Sequence, residues 1–216
     1  MADRPVWQSG VTLAVIAAFC TALVAFTWQM TGERIEENEK AWLERSLQPA
    51  LAGLFFDSPV TESKITMPPP HDLPGTETAI VYRVYAGNEP VAALFVVSAR
   101  DGYAGPIRLL IGITMDGAVT GVRVLQHRET PGLGDRVEIT KSDWVLQFDG
   151  HSLRDPQPAR WAIKGDGGQF DQLTGASVTP RAIVKAIKET LTYFETNRDA
   201  IFAATSDAED DAAEEK

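Results

Sequence analysis

Residues 78–125, TAIVYRVYAGNEPVAALFVVSARDGYAGPIRLLIGITMDGAVTGVRVL, decide the fold of this chain. Four stretches, Thr78–Ala86, Val91–Ala99, Ile107–Thr114 and Ala118–Leu125, either alternate apolar with polar residues or form short apolar runs. Both patterns are those of strands. Gly87, Asn88 and Pro90 break the first pair. Asp101, Gly102, Gly105 and Pro106 break the second, and Asp116–Gly117 breaks the third as a tight hairpin. Connections this short join neighbouring antiparallel strands, so the stretch predicts a largely antiparallel four-stranded sheet.

Downstream, residues 134–149 read as a short helix with Val137, Ile139, Trp144, Val145 and Phe148 inward, and Trp161–Lys164 reads as a returning strand. From Pro180 to about Ala203 the positions Ile183, Ile187, Leu191 and Phe194 have helical spacing, with Thr179 as N-cap and Pro180 at the first helical position. The fold class is therefore α+β, a mainly antiparallel sheet with flanking helices.

Upstream, no residue between Pro5 and Gly32 carries a formal charge, and Val11–Met30 reads VTLAVIAAFCTALVAFTWQM. Twenty residues rising about 1.5 Å each span about 30 Å, the thickness of a bilayer core. Trp7 and Trp28 suit the two interfaces. The rival is a cleaved signal peptide, whose apolar stretch is shorter and ends at a small-x-small site; here the run continues into Trp28, Gln29, Met30 and then charges. The reading is a retained single transmembrane helix over 11–31, preceded by residues 1–10. Arg4 on one side against Arg34, Lys40 and Arg45 on the other leaves its orientation undecided by charge. Residues 32–75 form a stalk helix and a linker that contains Pro68, Pro69, Pro70 and Pro74. The folded domain covers 76–203, and 204–216 is an acidic tail with nothing to bury, expected to be disordered.

The 216 residues hold 20 Lys and Arg against 30 Asp and Glu, a net charge of −10, half of it in the last ten residues. Such a surface repels phosphate backbones, which argues against nucleic acid as a partner. A single cysteine, Cys20, excludes an internal disulfide framework and a cysteine-built metal site. His71, His127 and His151 are isolated and show no metal-ligand spacing.

Two stretches can carry chemistry. Phe170–Arg181, FDQLTGASVTPR, sets three hydroxyl residues and a glycine before a helix start. The backbone N–H groups of Arg181, Ala182 and Ile183, with the helix dipole, favour an anion there by about 0.3 to 2 kcal/mol. Capping alone explains the same Thr-Pro pair. The loop His127–Asp135, HRETPGLGD, offers an irregular backbone that suits a flat ligand or a plain turn. It is not a dinucleotide fingerprint, because Val137 stands where a third glycine is needed. Ser177 does not fit a nucleophile elbow, since Gly175-Ala176-Ser177-Val178-Thr179 lacks the second glycine.

The ordered set GYAGPIRLLIGI, GVRVLQHRETPGLGD, SDWVLQF and WAIKGDGGQFDQLTGASVTPRAIVKAIK, within residues 102–188, resembles the G subunit of the Rnf electron-transport complex, with a more distant similarity to the C subunit of the sodium-translocating NADH:quinone reductase. The resemblance implies an FMN-binding domain in which FMN is held covalently through its phosphate, by a phosphoester to a hydroxyl in an Asp-x-x-Ser/Thr-Gly-Ala-Thr motif. Here the motif is Asp171, Thr174, Gly175, Ala176 and Ser177, with serine where the family most often has threonine. Thr174 and Thr179 are alternative acceptors, and Val178 adjoins them. By the same resemblance Asp171 serves recognition by the flavin transferase that donates FMN from FAD, or caps a turn. Glu129, Thr130, Pro131, Gly132, Leu133 and Gly134 are expected beside the isoalloxazine ring, with Leu133 as apolar contact. Lys164 either balances reduced-flavin charge or stands in solvent.

The resemblance further implies an electron carrier in a bacterial inner-membrane complex that exchanges electrons between ferredoxin and NAD while moving sodium ions or protons. Its partners are the other membrane and redox subunits, its N-terminus is cytoplasmic and its FMN domain periplasmic. No residue of this chain needs to act as acid or base. Two other classes remain: an anchoring or assembly subunit with Ser177 unmodified, and a sensor that binds FMN loosely.

Overall fold

The computed structural model describes residues 7, 10, 11, 13–23, 63–69, 71–76 and 78–203. The expected span beyond residue 23, the stalk over 32–62 and the acidic tail over 204–216 lie outside the described residues. The chain divides into two units, Met1–Leu43 and Glu44–Lys216. In the first, the described residues 10, 11 and 13–23 are helical (α1) with exposed apolar side chains such as Leu13 and Phe19. The Thr21 hydroxyl donates to the Ala17 carbonyl at 2.9 Å, so this hydroxyl is satisfied within the helix itself. Among the described residues no helix is long and apolar enough to cross a membrane.

The second unit is built on a five-stranded antiparallel sheet in chain order: β1 Lys64–Met67, β2 Ala79–Ala86, β3 Glu89–Ala99, β4 Ile107–Thr114 and β5 Val119–Gln126. Four strands stand where the apolar runs placed them. The fifth, β1, lies upstream of the expected boundary at residue 76, inside the stretch read as a linker. It pairs Ile65 with Val81, and Ile65 is buried. At four residues, followed at once by Pro68, it is too short for its alternation to stand out.

The strands β3 and β4 are buried on both faces. Phe95, Val97, Leu109 and Ile111 point into the main core, and Leu94, Val96 and Leu110 on the opposite face are buried too. That is why AALFVV and RLLIGI read as near-continuous apolar runs rather than as clean alternation. Each such side chain stabilises by about 1.5 to 3 kcal/mol on burial.

The long helix α2, Val178–Ala203, packs on the core face. Ile183, Ile187, Leu191 and Phe194 are all buried, as their spacing predicts, and Phe95 meets Phe194 edge to face at 6.0 Å. The helix starts two residues earlier than expected. Thr179 is therefore inside the first turn rather than its N-cap, and Ser177 takes the capping position.

Between β5 and α2 the expected helix over 134–149 is two separate short 3-10 helices, Gly134–Val137 and Asp143–Phe148. Glu138 and Ser142 have extended backbone between them, and the Ser142 side chain accepts the Trp144 N–H to start the second helix. Val137, Trp144, Val145 and Phe148 are buried as expected, but Ile139, on the connecting turn, is exposed. The expected strand over 161–164 is only an isolated bridge between Ile163 and Phe170, after which Lys164–Asp166 turns as a 3-10 helix. Phe148, Trp161 and Phe170 pack together there, with ring centroids within 6.4 Å of one another.

Candidate functional site

The stretch before α2 is shaped from below. Phe170 N–H donates to the Ala162 carbonyl at 3.1 Å, and Lys164 N–H donates to the Phe170 carbonyl at 2.7 Å. Asp171 is then gripped by its backbone from one short helix: its N–H donates to Gln147 Oε1 at 2.6 Å, and its carbonyl accepts Trp144 Nε1–H at 2.7 Å. The SDWVLQF segment thus fixes the first residue of the Asp171–Ser177 motif. Leu173 is buried, and its carbonyl accepts the Ala176 N–H at 3.1 Å, closing a four-residue turn. Gly175 has φ of 82° in that turn, the left-handed value that type II geometry requires at this position and that glycine adopts without strain.

The turn delivers Ser177 to the N-cap of α2, where its carbonyl accepts the Arg181 N–H at 3.3 Å. The Ser177 side chain is exposed, and its hydroxyl has no hydrogen-bond partner among the described residues. Val178 and Thr179 N–H groups lie in the first turn without intrahelical acceptors, and Pro180 has none to offer. The expectation for Arg181, Ala182 and Ile183 is corrected accordingly. Those amides belong to the helix ladder, and the unsatisfied donors sit two or three residues earlier, directly beside Ser177.

The loop after β5 forms the second wall. The Thr130 carbonyl accepts N–H bonds from Leu133 and Gly134 at 3.2 and 3.1 Å, folding Thr130–Gly134 around Pro131 and Gly132. Glu129 turns inward and is 5% exposed. Its Oε2 accepts the Thr179 hydroxyl at 2.6 Å and its Oε1 accepts the Ala104 N–H at 3.1 Å. A Cβ on Gly134 would stand 2.7 Å from Glu129 Oε2, so only glycine lets this carboxylate lie flat against the loop. A Cβ on Gly175 would stand 3.2 Å from Leu133 Cδ2. The two stretches singled out in the sequence are therefore neighbours in space: Glu129, Leu133 and Gly134 touch Gly175 and Thr179.

Behind the loop, His127 Nδ1 accepts the Glu129 N–H at 3.0 Å, which leaves the ring proton on Nε2, facing Glu138 Oε1 at 2.8 Å. Lys141 bridges Asp135 and Glu138 at 2.9 Å each. Its ammonium holds both carboxyls below their usual range, with the Gly132 amide helping at Asp135 and His127 helping at Glu138. The same two carboxylates push Lys141 up.

Two ion pairs flank the motif in solvent. Lys164 Nζ lies 2.5 Å from Asp171 Oδ1, so two residues expected in separate roles are partners of one another. Arg181 forks onto Asp166, with Nε 2.5 Å from Oδ2 and Nη2 2.7 Å from Oδ1, which holds the Asp carboxyl below its usual range. The sequence pattern did not single out Arg181–Asp166, Gln147 or the Ala104 amide; only the quoted motifs that contain them hint at their use.

An exposed hydroxyl at a helix N-cap, with two unsatisfied amides beside it, suits a phosphate ester. Leu133, whose Cδ2 approaches Gly175, and Val178, which follows Ser177, are 43% and 39% exposed and offer apolar surface to a flat group. This donor set fits FMN held through its phosphate.

Comparison with known proteins also points to FMN. The family described as FMN-binding domain matches residues 102–192, and the RnfG N-terminal region matches residues 1–49. The G subunit of the ion-translocating oxidoreductase complex of Shewanella loihica is 42% identical over 206 residues, 95% of this chain and 97% of that protein. The proteins of the same name from Pseudomonas aeruginosa and Pseudoalteromonas atlantica are 42% and 38% identical, each over 93% of this chain and covering 94% and 93% of their own lengths. With its sheet, its capped helix and its similarity along nearly the whole length, the chain belongs to the family of G subunits of ion-translocating oxidoreductase complexes, the Rnf G subunits.

Proposed function

We propose that this chain is the covalent-FMN electron carrier of a bacterial inner-membrane complex that couples electron transfer between ferredoxin and NAD to sodium-ion or proton translocation. The observation that carries the reading is the Ser177 hydroxyl, exposed and unpartnered among the described residues, at the end of the Asp171–Ser177 motif and at the N-cap of α2. A flavin transferase would use this hydroxyl as acceptor: Ser177 Oγ bonds to the FMN phosphorus of FAD, the phosphoanhydride breaks, AMP leaves and the hydroxyl proton is released. The ester keeps one negative charge, which the Val178 and Thr179 amides and the start of the α2 dipole stabilise.

The bound flavin supplies the redox chemistry. The protein's own residues hold and screen it: Leu133 and Val178 present apolar surface, while Gly175 keeps the approach open. Lys164, released from Asp171 or shared with it, is the cation available to a reduced ring. The apolar stretch over 11–31 anchors the chain with its N-terminus cytoplasmic and the FMN domain periplasmic, and the covalent tether prevents loss of the cofactor there.

Expression of the full chain with a flavin transferase, followed by fluorescence of the denatured band, tests this. The wild-type band is expected to fluoresce, Thr174→Ala to fluoresce equally, and Ser177→Ala to be dark. A dark wild-type band with active transferase present would leave an anchoring subunit as the better reading. Colour that denaturation removes would instead indicate loosely bound FMN.

A further inference from the structure

The turn at residues 101–105 closes tightly around an exposed aromatic. Tyr103 at its tip is 72% exposed, the most open large apolar side chain among the described residues. Three contacts fix the turn. Asp101 pairs with Lys185 of α2 at 2.6 Å. Ala104 N–H donates to Glu129 Oε1 at 3.1 Å. A Cβ on Gly102 would stand 2.2 Å from the Gly105 carbonyl oxygen and 2.9 Å from Ile107 Cγ1, so the backbone closes on itself there. A solubilising loop tip needs neither a fixed backbone nor a bare phenol ring.

The position of the turn supplies the reason. Glu129 takes Ala104 on one oxygen and Thr179 on the other. Tyr103 is thus one residue from one end of that bridge, and Ser177 is two residues from the other. Leu133, which meets Gly175, and Val178, which follows Ser177, are exposed apolar residues next in sequence to Gly134 and Thr179, which meet the same carboxylate. Three segments far apart in sequence meet at the Glu129 carboxylate through Ala104, Gly134 and Thr179, and the residue just before each of these, Tyr103, Leu133 and Val178, is an exposed apolar one. The flavin ring is flat and electron-poor, and a phenol face is an electron-rich partner for it.

We propose that Tyr103 is the ring-stacking residue of this site, holding the isoalloxazine of an FMN esterified to Ser177 against a rim of Leu133 and Val178. The inference rests on the covalent-FMN reading. Tyr103 is a positioning residue: it sets the ring's place and takes no part in esterification.

The test uses the full chain purified in detergent after coexpression with a flavin transferase, as wild type, Tyr103→Leu and Tyr103→Trp. The denatured band reports the adduct, and flavin fluorescence of the native protein reports the stack, because an electron-rich ring in contact quenches the flavin. Equal adducts are expected in all three. Native fluorescence is expected to rise several-fold in Tyr103→Leu and to stay quenched in Tyr103→Trp. In a Ser177→Ala background, affinity for added riboflavin is expected to fall about tenfold on Tyr103→Leu, roughly the worth of one aromatic stack.

Equal adducts with unchanged native fluorescence in Tyr103→Leu would overturn the inference and leave the covalent reading intact. An adduct missing only from Tyr103→Leu would also overturn it, since it would place the phenol in esterification rather than in stacking. A dark wild-type band would remove the covalent reading and this inference together.

Discussion

The Thr179 hydroxyl donates to Glu129 Oε2 at 2.6 Å, joining residues fifty positions apart inside the protein. This one bond sets the loop after β5 against the first turn of α2, and so fixes where Ser177 stands relative to Leu133. Glu129 is 5% exposed and accepts only from Thr179 and the Ala104 amide among the described residues. A buried carboxylate that loses one of two donors costs about 1 to 3 kcal/mol. Thr179→Val is therefore expected to lower unfolding stability by that amount in urea, whereas Thr179→Ser, which keeps the hydroxyl and loses only a buried methyl, is expected to cost about 0.8 kcal/mol.

Glycine substitutions rank by what the new Cβ would strike. At Gly168 it would stand 1.9 Å from the Ala162 carbonyl oxygen, which is backbone and cannot yield. At Gly134 it would meet a carboxylate at 2.7 Å, a group with some freedom to turn. Gly168→Ala is expected to abolish the cooperative thermal transition of the domain. Gly134→Ala is expected to retain it with a loss of about 1 to 3 kcal/mol.

Trp144 has two jobs that one substitution separates. Its ring packs on Phe148 at 5.3 Å between centroids, and its Nε1–H holds the Asp171 carbonyl. Trp144→Phe keeps an aromatic ring there and removes the donor. A stability loss of about 1 to 3 kcal/mol is expected, larger than a surface change would give. The rate of flavin attachment at Ser177 is expected to fall as well, read as the time course of in-gel fluorescence against wild type, because Asp171 begins the motif.

The Asp135–Lys141–Glu138 group makes stability pH-dependent at both ends. Both carboxyls titrate lower folded than unfolded, so the stability they add is fully present above their ordinary values of 3.8 and 4.5 and is lost as pH falls through the lowered ones. Lys141 titrates higher folded, so its share is present below 10.5 and is lost as pH rises through the raised value. Thermal midpoints of wild type should fall in both acid and strong base, and Lys141→Met should flatten both limbs.

Much of this was legible in the sequence because burial follows the period of each element. The Asp116–Gly117 hairpin, the apolar runs of β2 to β5 and the Ile183–Ile187–Leu191–Phe194 face of α2 stand where the pattern placed them. The strand β1 escapes the pattern because four residues before a proline carry too little alternation. Residues 134–149 read as one helix because Val137, Trp144, Val145 and Phe148 have that spacing, while Ser142 restarts the backbone between them. At the site, both stretches are visible in the sequence as loops, but their contact is not. Nothing in a Glu flanked by Arg128 and Thr130 says that its side chain turns inward to meet Thr179. The grip of Trp144 and Gln147 on the Asp171 backbone likewise joins side chain to main chain, and main-chain groups leave no trace in residue type.

In the proposed reading Ser177 Oγ carries FMN as a phosphoester. Peptide mapping by mass spectrometry of the chain isolated from its native membrane decides whether it does. The peptide spanning Gln169 to Arg181 is expected to carry FMN, with the fragmentation series placing the added mass on Ser177. Finding that peptide bare, with Thr174 and Thr179 also unmodified, would contradict that reading.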